Sequence, residues 1–335
     1  MKKPVVLLLV SLTLLSICSV AAVPVRANPR TIIVPVDYTR IQWAIGNATD
    51  GDTIQVRAGT YLENIAVDKS ITLMGEGRNS IIDGGNAGTA VMIAKDRVTV
   101  TGFTIRNGND SSSTGPLPQP AGIGIAARFC VVTGNTLTGN RIGILLYGPT
   151  ANGNVIDGNS ILSSNQGVWL ASTFNNTITG NLISGSDYGI DHDQSYNNTV
   201  TVNTISNNVE GIYVYYAQDL IYHNNFLSNH AQVFYTGTNF TALDNGYPSG
   251  GNYWSNYNGV DTKSGPYQNI TGSDGIGDTY YYVDNDDRRF DRYPLMSQVN
   301  VIPEFPSTFL LVLLVASSTA LLAMVFRRRR LAVQR

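Results

Sequence analysis

Between residues 131 and 227 apolar and polar positions alternate with a period of two, in runs too short for helices. They read "VVTGNTL" (131–137), "VIDGNSI" (155–161), "TITGNLI" (177–183), "TVTVNTI" (199–205) and "IYHNNFL" (221–227). Short Val-, Ile- and Thr-rich runs broken by Gly and Asn predict strands. Their central residues Asn135, Asn159, Asn181, Asn203 and Asn225 are 24, 22, 22 and 22 apart. Gly143-Ile144, Gly167-Val168, Gly189-Ile190 and Gly211-Ile212 keep the same beat. A fixed period near 22 residues marks a repeat architecture. Strand-like units of that length predict an all-β fold, a parallel β-helix, in which each repeat makes one coil and coils stack about 4.8 Å apart.

The pattern assigns the positions. Val132, Ile156, Ile178 and Val200 form one inward column, and Leu137, Ile161, Ile183, Ile205 and Leu227 another. The recurrent Asn sits at a bend, where its amide bonds to the Asn of the next coil. The glycines permit turns that a side chain would block. Upstream, "VTVTGFTI" (98–105) repeats the unit, displaced by the Ser/Pro-rich insertion "NDSSSTGPLPQP" (109–120), which reads as a surface loop. Counting from Ile54 to Tyr235 gives about eight coils and a rod ~40 Å long.

Both ends of such a rod need covers. In "YTRIQWAIGNA" (38–48), Ile41, Ala44, Ile45 and Ala48 share one helical face, which predicts a capping helix. Residues 244–296 lose the repeat and predict an irregular aromatic cap; 13 of the 18 tyrosines lie beyond residue 210. The β-helix itself is therefore placed at 31–243.

Residues 1–27 begin Met-Lys-Lys, continue apolar and close on Val25-Arg26-Ala27, the pattern of a signal peptide. Residues 308–326 are 19 largely apolar residues, enough as a helix for roughly 29 Å and one membrane crossing. A Pro-punctuated stalk (297–307) precedes this transmembrane helix, and a basic tail (327–335) follows. Arg327 to Arg330 belong on the cytoplasmic side, which places the bulk of the chain outside. The three-part ending also resembles archaeal C-terminal sorting signals. Without these ends, 14 basic and 24 acidic residues remain, a net charge near −10 that argues against nucleic acid as partner. Only Cys130 lies outside the signal peptide, so no intramolecular disulfide is expected.

Period two after each repeat Gly sends Leu145, Trp169, Asp191 and Tyr213 outward in one column, and Tyr147, Ala171, Asp193 and Tyr215 in the next. Four aromatics, Tyr147, Trp169, Tyr213 and Tyr215, then flank Asp191 and Asp193 on an exposed face. Rings that stack on sugar C–H groups beside carboxylates that accept hydroxyl protons predict a polysaccharide- or surface-glycoprotein-binding face without chemistry. Plain decoration of a sheet by aromatics is the alternative. Asp191 and Asp193, about 6–7 Å apart, are also candidate acid and base for glycosidic cleavage by a hydrolase or lyase. His192 is expected to point inward.

"GSDGIGD" (272–278) sets Asp274 and Asp278 around two glycines, as in calcium-binding turns, although it lacks the full EF-hand spacing and a plain Asp-Gly turn is the better reading. Copper is poorly served: His192, His223 and His230 are the only histidines, and soft ligands are scarce. Among six Asn-x-Ser/Thr sequons (Asn47, Asn109, Asn175, Asn197, Asn239, Asn269), Asn109 in the inserted loop is the glycosylation candidate.

The run "YTRIQWAIGNATDGDTIQVRAGTYLENIAVDKSITLMGEGRNSIIDGG" (38–85) closely resembles the start of NosD-type proteins, also described as carbohydrate-binding and sugar-hydrolase β-helix repeats. "GGNYWSNY" (250–257), "DGIGDTYY" (274–281) and "DRYPLM" (291–296) resemble the module closing many archaeal members. The resemblance covers nearly all of 31–296 and implies a right-handed parallel β-helix outside the cytoplasm. It also raises copper delivery as an alternative function, since the family is named for a copper-loading protein. The Asp, His and Arg signatures of polygalacturonase-like β-helix enzymes are not found. Fold alone does not carry function.

Overall fold

The computed structural model describes residues 29–110, 117, 119–237, 241–284 and 288–300. The signal peptide, the transmembrane helix and the basic tail read from the sequence lie outside these residues, as does most of the stalk. Among the described residues no helix is long and apolar enough to cross a membrane.

Three parallel sheets wrap one core. The first has nine strands, from Thr31–Val34 to Gln218–Tyr222; the second has nine, from Gly59–Leu62 to Tyr253–Trp254; the third has eight, from Ile65–Val67 to Ala231–Thr236. Consecutive repeats pair in register, as Ile156 with Ile178 and Ile178 with Val200. Two sheets thus hold one strand more than the eight coils counted from the sequence. Thr31–Val34 pairs with Thr53–Val56 as an extra first rung, and Tyr253–Trp254 extends the other end.

Buried aliphatics fill the interior, with Val132, Ile156, Ile178, Val200 and Ile221 in one column and Leu137, Ile161, Ile183 and Ile205 in another. The second column ends differently from the expectation: Ile205 pairs with Phe226, not Leu227. The asparagine column shifts with it. Asn135, Asn159, Asn181 and Asn203 pass hydrogen bonds from rung to rung, and the chain of bonds continues through Asn224 to Asn252, not through Asn225. The last repeat is one residue shorter, and the side chains that need the interior set the register.

Each ladder Asn satisfies a corner. Asn181 Oδ1 accepts the Asn159 backbone N–H at 2.9 Å, and Asn181 Nδ2 donates to the Ile156 and Thr179 carbonyls at 2.8 and 2.7 Å. The preceding residue is left-handed in every repeat: Gly134 (φ 64°), Gly158 (61°), Gly180 (65°), Val202 (57°) and His223 (57°). Glycine suits that corner, and the last two repeats manage without it. The other series, Gly143 to Gly211, has ordinary φ and a different reason: a Cβ on Gly167 would lie 2.5 Å from the Gly189 carbonyl oxygen. Those glycines allow close approach between rungs; they do not make turns.

The helix spans Ile41–Asn47, inside the predicted 38–48, and buries Ile41, Ala44 and Ile45 on the first rungs. Glu63, itself buried, accepts the free Ile41 and Gln42 amides at its start. At the far end Trp254 stacks between Phe226 (4.3 Å) and Tyr281 (4.4 Å) and donates its indole N–H to buried Asp291. Asp291 also accepts the Asn252 and Tyr293 amides; even so, burial pushes its carboxyl up to about 7.

Candidate functional site

The outer surface of the third sheet carries the residues the sequence singled out. Leu145, Trp169, Asp191, Tyr213 and Phe234 are register partners on consecutive strands, and so are Tyr147, Ala171, Asp193, Tyr215 and Thr236. The inward partners Ile144, Val168, Ile190 and Ile212, with Leu146, Leu170, His192 and Val214, are buried as the alternation predicts.

The outer face is less open than period two implies. Leu145, Ala171 and Asp191 are buried at 0%, 4% and 5% exposure, Trp169, Tyr213 and Asp193 are half-buried, and Tyr147, Tyr215 and Phe234 are exposed. Over Leu145 and Ala171 the cover comes from the insertion. Leu117 turns back onto the sheet and joins Ala121, Ile142, Leu145 and Ala171 in a second apolar cluster against Met92 and Trp169. Gly124 makes the space: a Cβ there would lie 2.1 Å from Leu117 Cδ1. The predicted surface loop thus returns an anchor that walls one side of the aromatic face.

A third outward column escaped the sequence reading. The residue before each repeat Gly also faces out: Gln166 Nε2 donates to Asp191 Oδ2 at 2.8 Å, and the Tyr188 ring lies 5.1 Å from that of Tyr213. Gln166, Tyr188 and Glu210 are register partners, and the Gly that follows each has no partner in the pairing. One residue is in effect extra there, as in a bulge, so strict alternation fails across it. Phe234, stacked on Tyr213 at 6.0 Å, was also missed, since it lies beyond the last clear repeat.

Asp191, only 5% exposed, therefore lies low between the larger side chains of its register neighbours Trp169 and Tyr213 and near Tyr188, a slot between rings on the outer face. Burial pushes its carboxyl up to about 6, against the Gln166 hydrogen bond, and Asp193 and Glu210 add like charge. Burial raises Glu210 as well. Three buried atoms of this patch find no hydrogen-bond partner among the described residues: Trp169 Nε1, Asp191 Oδ1 and Glu210 Oε2. Native proteins rarely leave such atoms unpaired, and ordered water or a bound molecule is what completes their bonding.

The other candidates do not assemble. Asp274 accepts the Gly265 and Ile276 amides and Gln268 Nε2, and Asp278 accepts Thr262 and Lys263 amides and the Thr262 hydroxyl. Their oxygens hold a hydrogen-bonded turn, and among the described residues no three His, Cys, Asp or Glu side chains group as metal ligands. His192 Nδ1 meets Asp219 Oδ2 at 2.6 Å inside the core, where Ser195 also donates to that oxygen. His223 Nε2 contacts the Ser249 carbonyl oxygen at 2.6 Å, and Cys130 is buried. Asn109, the first residue of the insertion, is exposed.

Among curated proteins, the chain is similar to a cell surface glycoprotein of Methanothermus fervidus, 32% identical over 99 residues, which cover 29% of this chain and 17% of that protein. The chain thus spans well under a fifth of that relative's length. Solved structures with a similar course include an alginate lyase of a Paenibacillus species (14% identity, TM-score 0.36, covering 67% of this chain and 97% of that one). A pectin methylesterase of Yersinia enterocolitica is another (13%, TM-score 0.38, covering 60% and 82%). The family model described as periplasmic copper-binding protein (NosD) matches residues 45–259, more than half of the sequence, and this chain belongs to that family.

Proposed function

We propose that this NosD-family β-helix binds an extended polysaccharide along the outer face of its third sheet, without cleaving it. The slot around Asp191 carries the reading: a carboxyl buried on the outside of a sheet, between aromatic rings, with acceptor and donor atoms left unpaired. Ring faces supply stacking on pyranose C–H groups, and the unpaired atoms supply hydrogen bonds to hydroxyls. Strands 4.8 Å apart repeat such contacts along the axis, as a linear polymer requires. The cell-surface name of the relative, the signal-peptide pattern and the apolar 308–326 support a place on the outside of a membrane, on a single C-terminal span.

Copper delivery finds less support. His192 points into the core, His223 meets the Ser249 carbonyl oxygen and the thiol is buried, and no soft ligand set comes together among the described residues. Cleavage remains the second reading, because a carboxyl at about 6 beside a second one has the make-up of an acid–base pair.

Trp169→Ala and Tyr213→Ala are expected to weaken retention on immobilised glycans at least about tenfold, roughly 1.4 kcal/mol, with unchanged far-UV circular dichroism. Wild-type retention by both variants would remove the site. Release of new reducing or unsaturated sugar ends, abolished in Asp191→Asn, would replace binding by catalysis.

A further inference from the structure

The charged side chains on the three outward columns between Gln166 and Thr236 are all acidic: Asp191, Asp193 and Glu210, with no Lys or Arg among them; His192 beneath the sheet and His230 beside Glu210 are the basic groups that act on Asp191 and Glu210. Two carboxylate oxygens, Asp191 Oδ1 and Glu210 Oε2, are buried without a donor, and Asp191 is only 5% exposed. A buried acceptor without a donor costs free energy, and like charges nearby add to the cost. A donor that also carries positive charge offsets both costs at once.

Each glycan class meets this face differently. A uronate or sulfated sugar brings more acceptors and more negative charge, which the three carboxyls repel and only His230, acting on Glu210, offsets. A neutral sugar brings hydroxyl donors but leaves the charge uncompensated. A hexosamine with a free amine brings three N–H donors and a cation, which the carboxylates and the ring faces of Trp169 and Tyr213 both favour.

Resting on the glycan-binding reading above, we propose that the slot selects glycans that carry free amino sugars, the hexosamine ammonium being received by Asp191 and Glu210 beside the Trp169 ring. The amine replaces the missing donor, and ionisation of Asp191 is then compensated. Carboxylated and sulfated polymers are excluded by charge.

Isothermal titration of the folded chain at low salt and near-neutral pH tests this with three oligosaccharides of equal length: glucosamine, N-acetylglucosamine and galacturonate. The glucosamine oligomer is expected to bind at least about tenfold tighter than the acetylated one, with no measurable binding of galacturonate. Its advantage shrinks as pH falls through about 6, where Asp191 takes up a proton, and Asp191→Asn lowers affinity for the amine more than for the acetamide. Equal or tighter binding of the acetylated or the galacturonate oligomer overturns amino-sugar selection while glycan binding stands. An undiminished preference in Asp191→Asn overturns it too. Binding of none of the three removes both readings.

Discussion

At the scale of single residues, stability rests on buried amides more than the sequence alone reveals. Asn181 holds its neighbours above and below and closes its own corner, with all its polar atoms inside the core. Asn181→Ala would orphan the Asn159 amides and two carbonyls, and the expected loss is about 2–4 kcal/mol in urea unfolding. A loss under about 0.5 kcal/mol would show that the ladder is incidental. The role of Asn was legible from its spacing. Which of two adjacent asparagines continues the ladder after Asn203 was not, because "HNNF" offers both and only the burial of Phe226 selects Asn224.

At the scale of elements, strand identity and facing were readable wherever the repeat held strictly. All eight inward positions predicted after the glycines are buried. The reading failed at two features that no alternation encodes. The extra residue at each repeat Gly turns Gln166, Tyr188 and Glu210 outward, and the return of Leu117 depends on space left by Gly124. The strand Tyr188–Asp193 carries the consequence for pH. Asp191 holds its proton up to about 6 in the folded chain against 3.8 ordinarily, so its neutral form is the one the fold favours. Its contribution to stability is therefore fully present below the ordinary range and is lost as pH rises through about 6. Asp291 adds the same sign at about 7. Asp191→Asn is expected to be about 1–3 kcal/mol more stable than the parent at about pH 8, with the difference vanishing near about pH 4. Urea titrations at the two pH values check this. A variant less stable than the parent at the higher pH would contradict it. A site that costs stability when empty is what a binding slot leads one to expect.

At the scale of the whole molecule, the rod, its two caps and its family were all foreshadowed by the 22-residue beat and by the quoted end motifs. The polar content of the slot was only half visible. Trp169, Asp191 and Tyr213 came from spacing, whereas Tyr188, Glu210 and Phe234 needed coordinates. The fold places three tryptophans in three settings. Trp43 is exposed on the capping helix, Trp254 is stacked inside the C-terminal plug, and Trp169 stands at the slot with its indole N–H unpaired. Indole N–H resonances followed by NMR through a titration with glucosamine oligosaccharide therefore read the central claim directly. The Trp169 resonance should shift in proportion to saturation while those of Trp43 and Trp254 stay in place; saturable binding with Trp169 unmoved would contradict the account.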